Sequence, residues 1–317
     1  MDSAGGYPSR MLAWLGEAVL SGLLTFLVLL AVAAVPSWGG PLAVFAPLPL
    51  TVVTARNGIG TGSLGLLALT LFLGWWGSIL SALPSLLELG ILALVLGEGL
   101  RRRWRGEKTV VLGVLGAAAG ALLAVLPQIS WQPGRLMESW DRHLSLRLNQ
   151  FGGVLGLASL APESWASIKS FLLETYPSLI FLALLFAATA NFYLARRIGQ
   201  RHLFTAEGPD FPFSSWCISD GWVWGVIISL TLYLLALPSR RLGSNLLLAL
   251  GGLYLLQGLA ILSSFLQHWK LSLPLRVPIY FLSLSHPFLL CGLALVGLAD
   301  VWLNLRRWSN PSLPPRK

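Results

Sequence analysis

The chain is poor in charge: only 11% of its 317 residues are Asp, Glu, Lys or Arg, against 55% that are hydrophobic. With a mean hydropathy of +0.72 it has too little polar surface to cover a water-soluble globule, so a membrane is the expected solvent. Cysteine is scarce, with only Cys217 and Cys291. Two thiols at this length make no disulfide framework, and Cys291, deep in an apolar run, is expected to pack. The four histidines, at 143, 202, 268 and 286, have no ligand spacing to cysteine or carboxylate, so no metal site is expected. GxSxG and HExxH are missing, and Ser285 and His286, adjacent in line, set no nucleophile–base geometry; no enzymatic chemistry is expected. GIGTGSLG at 58–65 lacks the lysine and spacing of GxxxxGK[ST] and follows an apolar helix instead of a strand, which argues against nucleotide binding. No motif implies a cofactor.

What the chain does have is apolar runs, at 11–35, 41–55, 61–82, 85–100, 109–127, 171–195, 222–237, 244–267 and 278–303. A bilayer core takes about 20 helical residues, so most of these qualify, while 41–55, 85–100 and 222–237 are short. The expected fold class is an all-α, polytopic transmembrane helical bundle of about eight to nine membrane helices. Run one is too long for the roughly 7–15-residue apolar core of a signal peptide and reads as an uncleaved helix.

The net charge of +9 comes from cations at the ends of these runs, which fits topology signals and lipid phosphates, not nucleic acid. Arg10, Arg56, RRRWRGEK at 101–108 (with Arg101, Arg102 and Arg103) and RRIGQRH at 196–202 fall on one side if six runs each cross once. By the positive-inside rule that side, with the N-terminus, is cytoplasmic. Three further crossings would put Arg306, Arg307, Arg316 and Lys317 outside, against the rule, unless run seven fails to span. The expected organisation is a membrane unit over 1–196, a cytoplasmic connector over 197–221 and a C-terminal extension of two or three helices over 222–317. Near 130–165, Leu136, Met137, Trp140, Leu144, Leu148 and Phe151 recur at helical spacing. That is an amphipathic extracytoplasmic segment, either a lid or a helix resting on headgroups.

Small residues such as Ala18 and Gly22 in run one share a helix face, for internal packing or for docking a second membrane subunit. Polar groups at membrane depth are costly and face an interior or a cavity. Gln257 and Asn191 are the clearest of these. Glu17 and Asp300 lie near run ends, where headgroup-level solvation is expected, and Glu88 is expected in the first turn of a helix beginning after Pro84, where the helix dipole favours it. Arg56 is either a membrane-end anchor or a partner for a carboxylate or a lipid phosphate.

PLPLTVVTARNG at 47–58, NLLLALGGLYLLQGLAILSSFL at 245–266 and GLADVWLNLRR at 297–307 resemble the YybS-like family of uncharacterised bacterial membrane proteins, over nearly the whole chain. Ser219 stands where that family has proline, and Asn304 where it has aspartate. The family is in turn similar in fold to the S components of energy-coupling factor transporters. The resemblance implies that the first six runs form a six-helix, S-component-like unit in the bacterial inner membrane. It also implies capture of a small, vitamin-like solute, and as partners a coupling transmembrane subunit and ATPases. Ala18 and Gly22 would then dock the coupling subunit, and Trp38, Glu88, Trp140, Asn191 and Gln257 are candidates for substrate contact. The chain begins MDSAGG, without the histidine after the initiator methionine that the metal-ion members carry. The alternative from another class is a non-transporting scaffold of the cell envelope.

Overall fold

The computed structural model describes residues 6–34, 42–77, 79–129, 162–202, 212–235 and 239–305. Among them every regular element is helical: α1 (Gly6–Ala34), α2 (Leu48–Asn57), α3 (Ile59–Trp76), α4 (Ile79–Arg101), α5 (Gly106–Ile129), α6 (Pro162–His202), α7 (Trp222–Leu234), α8 (Ser239–His268), α9 (Leu273–Ser285) and α10 (Pro287–Leu303), with one 3-10 turn at Phe213–Ser215. Among the described residues, five stretches are long and apolar enough to cross a membrane: Met11–Ala34, Ile59–Trp76, Gly106–Leu123, Glu163–Gly199 and Ser239–His268. Counting α9 and α10 as one broken span makes six. The chain is therefore a helical membrane protein that contacts the bilayer through several apolar helices.

Three of the expected runs fall short of a straight crossing, for local reasons. Run two yields α2, only 10 residues, or about 15 Å, half of a hydrocarbon core. Run seven yields α7, 13 residues long. Run nine breaks: His286 precedes Pro287 and is extended (φ −109°, ψ 121°), because the proline ring disfavours helical geometry in the residue before it. The chain turns through 100° there.

The described helices divide into two compact units, one from residues 1–125 and 183–216, the other from 126–182 and 217–317. In the first, α1 packs along α3 on small residues. A Cβ added at Gly22 would lie 2.6 Å from the Gly65 carbonyl oxygen, and one at Gly65 would lie 3.1 Å from that of Ala18. Such contact brings helix backbones to near van der Waals approach. α2 sits among α1, α3 and α4, with Leu50, Thr51, Val53, Thr54 and Ala55 buried. Leu50 joins Phe26, Leu69, Leu86 and Ala93 in the core. The α2–α3 junction is Gly58, at φ 95° and ψ 174°, a conformation open to glycine alone.

In the second unit α8 is central, packed on α7 and α10. The α8–α10 crossing is very close: a Cβ at Gly297 would lie 2.0 Å from the Tyr254 carbonyl oxygen, and one at Gly258 would lie 2.0 Å from that of Leu293. Asn245 of α8 repairs the ladder of α6 beside Pro177. Its Oδ1 accepts from the Ser178 N–H (3.1 Å) and its Nδ2 donates to the Glu174 carbonyl (2.8 Å). Those two groups are the pair that the helix ladder would join, one residue past Pro177, and the inserted amide satisfies both.

Candidate functional site

Three constellations among the described residues bring polar groups of different helices together. The first surrounds the half-length helix α2. The chain enters α2 through turns at 44–47, in which Phe45 N–H donates to Leu42 O (3.0 Å) and Leu48 N–H to Phe45 O (3.0 Å). Pro47 and Pro49 remove two donors that a helix start would leave exposed. The lone carbonyl of Val44 is taken by Asn191 of α6, whose Nδ2 donates to Val44 O and to Ala187 O, each at 2.6 Å. Asn191 is fully buried, and its Oδ1 has no hydrogen-bond partner among the described residues. Thr51 and Thr54 turn their hydroxyls back onto Pro47 O (2.9 Å) and Leu50 O (2.7 Å). Gly62 and Gly97 close over Thr54, where a Cβ would approach to 2.0 Å and 2.4 Å respectively. Non-helical backbone is tolerated at membrane depth only where protein or a cavity satisfies it, and this helix has such a lining.

The second constellation is the cationic end of the same unit. Glu17 of α1 receives Arg56 at 2.9 Å and a hydrogen bond from Asn57 Nδ2. Both partners are part-exposed, so the pair fixes geometry more than it adds stability. Next to it, the Arg101 guanidinium lies 3.5 Å from where a Gly58 Cβ would be. Glu98, only 7% exposed, holds both Arg101 (3.0 Å) and Arg102 (2.6 Å). Tyr193 of α6 reaches Gly106, which brings Arg196 and Arg197, one turn on, toward this end. The clusters at 56, 101–105 and 196–197 thus share one end of the unit. Trp75 and Trp76, 84% and 66% exposed, lie at the other end of α3, about 27 Å away along an 18-residue helix. A cationic end and an aromatic end separated by a bilayer's thickness is the pattern of a spanning bundle.

The third lies in the other unit. Gln257 of α8 is fully buried. Its Oε1 accepts from the Ile218 N–H (3.0 Å), and its Nε2 donates to Gly297 O (2.9 Å) and Asp300 Oδ2 (3.2 Å). Asp300 is 3% exposed, so the expectation of headgroup-level solvation is corrected: the close α8–α10 crossing draws its carboxylate against Gln257.

The other anticipated residues fall as follows. Trp38, Trp140 and the amphipathic segment near 130–165 lie outside the described residues, save that α6 begins at Pro162. Glu88 is half-buried, well inside α4; since α4 starts at Ile79, the first-turn dipole argument does not apply. Ala18 is buried and Gly22 faces α3, so both serve packing within the unit. Cys291 is exposed on α10 instead of packed. Asn304 takes the left-handed conformation (φ 46°, ψ 48°) that ends α10, its N–H on Asp300 O, a position asparagine suits. Glu98 and Asn245 were not singled out in the sequence; the spacing of three and four from Glu98 to Arg101 and Arg102 was the available signal. No group of three His, Cys, Asp or Glu that could hold a metal occurs among the described residues.

No curated protein and no solved structure matches the chain. A family model does, over residues 23–301, covering α2 to α9 in full, nearly all of α10 and the C-terminal part of α1. The half-length helix with its Asn191 staple, the arginines of the cationic end and the Gln257 cluster fall inside that match, with Glu17 lying before it, and the chain belongs to the family described as predicted membrane protein (DUF2232).

Proposed function

We propose that the protein captures a small organic, vitamin-like solute for uptake across the bacterial inner membrane, in the manner of an S component. Energy comes from a separately encoded coupling subunit and ATPases, the N-terminus and the Arg56 end are cytoplasmic, and the protein itself performs no bond chemistry. The observation that carries this reading is α2: a half-length helix enclosed by α1, α3 and α4, led in by turns and stapled by Asn191. Broken helices in membrane carriers mark the places where substrate binds. The absence of a phosphate-loop sequence in the 317 residues is in keeping with ATP hydrolysis on another chain. In this reading the first six runs form the capture unit, and Trp38, Glu88 and Trp140 contribute from the end opposite Arg56.

Since Gly22 packs on α3, the coupling subunit meets the exposed outer face of α1, including Leu12, Val19, Leu20, Leu24 and Leu27. Affinity purification from native membranes tests the reading. A coupling subunit with ATPases is the expected company; recovery of cell-envelope assembly proteins instead would establish the scaffold alternative.

A further inference from the structure

The turn between α4 and α5 gathers Arg101, Arg102, Arg103, Arg105 and Lys108 around two carboxylates, Glu98 and Glu107. Cations therefore outnumber anions by three within eleven residues. Glu98 is buried and engages Arg101 and Arg102 with its two oxygens; Arg105 binds Glu107 at 2.7 Å. Trp104 is half-buried in the middle. The Arg102 guanidinium carbon lies 5.9 Å from its ring centroid and the Lys108 ammonium 5.0 Å, both within cation–π range. Indole with cations over its face is a combination suited to the headgroup level of a bilayer.

The backbone holds this arrangement at a conformational cost. Arg103 N–H bonds Leu100 O (3.1 Å) and Trp104 N–H bonds Gly99 O (2.9 Å), which places Arg103 at φ 57°, the left-handed position that ends a helix and is ordinarily glycine's. An arginine there is strained where glycine would not be. Strain kept at a charged membrane-level turn marks a side chain retained for what it contacts.

We infer that Arg102, Arg103 and Lys108, grouped about Trp104, form a binding site for the phosphate of an anionic phospholipid headgroup. The site is independent of solute capture. Charge complementarity carries the assignment: each cation near the surface strengthens attraction to anionic lipid, and a phosphodiester at this level accepts hydrogen bonds from guanidinium and ammonium together.

The test uses the full chain, purified in mild detergent and delipidated, titrated by native mass spectrometry with dioleoyl phosphatidylglycerol and with dioleoyl phosphatidylcholine. Phosphatidylglycerol, the anionic lipid of the two, is expected to bind first and tighter, with about fivefold lost for each of Arg102→Gln and Lys108→Gln. Arg103→Gly is expected to weaken the same lipid several-fold while thermal stability without lipid holds or rises, a separation that a purely structural arginine would not give. Arg240→Gln with Arg241→Gln, a cationic pair elsewhere, should leave the preference intact. Equal affinity for the two lipids, equal harm from the Arg240 and Arg241 changes, or displacement of the lipid by inorganic phosphate alone would each overturn the assignment.

Discussion

The α8–α10 crossing makes the sharpest stability prediction. Substituting Gly297→Ala places a methyl 2.0 Å from the Tyr254 carbonyl oxygen and 2.8 Å from the Gly258 nitrogen. Both neighbours are helix backbone and neither can rotate away. To reach ordinary contact at 3.4 Å the helices must separate by about 1.4 Å. The Gln257 Nε2 bond to Gly297 O, now 2.9 Å, then lengthens beyond hydrogen-bond range, and the bond to Asp300 at 3.2 Å goes with it. Interhelical bonds in membranes are worth about 0.6 kcal/mol on average and up to about 1.7. With overpacking of about 1–3 kcal/mol, the expected loss is about 2–4 kcal/mol. Gly251, on the same helix as Gly258, has nothing within 4 Å of its added Cβ, so Gly251→Ala should cost nothing and can gain up to about 1 kcal/mol of helix propensity. Reversible unfolding in mixed mild and denaturing detergent, followed by tryptophan fluorescence, measures both. Gly297→Ala within about 0.5 kcal/mol of the parent would refute the close crossing.

Two further predictions concern the other unit and the topology. Asn191→Leu removes the donor to Val44 O and leaves a carbonyl without a partner in the bundle, a cost of about 1–3 kcal/mol; the same unfolding assay reads it, and hydrogen exchange should quicken at Leu48 and the turns before it. Cys217, part-exposed within the expected connector, is expected to react with a membrane-impermeant maleimide only from the cytoplasmic side in a Cys291→Ser background. Labelling of intact cells from outside would overturn the proposed orientation.

Charge at run ends was legible: arginines placed by the sequence at 56, 101–103 and 196–197 share one end of the first unit. That holds because a cation's preference for the membrane surface is local to its position. Breaks were legible in part. The length of the run at 41–55 flagged a short second helix, while Pro287, which disfavours helix in the residue before it, was read through, and the run from 278 to 303 is bent. Pairing between helices was not legible. The small-residue face of Ala18 and Gly22 could be seen, but not that it meets Gly65, because spacing gives a face and not its partner. Asp300 read as solvated from its place near a run's end, yet its burial is set by Gln257, forty-three positions away. Asn245 carried no signal of its own in the sequence; its insertion beside Pro177 depends on a helix that approaches only in the fold.

The central claim is that α2 and its surroundings belong to a solute-capture unit. Denaturing the protein after purification in mild detergent and analysing what it releases by mass spectrometry tests that claim most directly. A single small organic solute at close to one per chain is expected, lost in a Gly62→Leu variant that forces α2 off α3. Release of membrane lipids and nothing else, from protein shown to be folded, would contradict it.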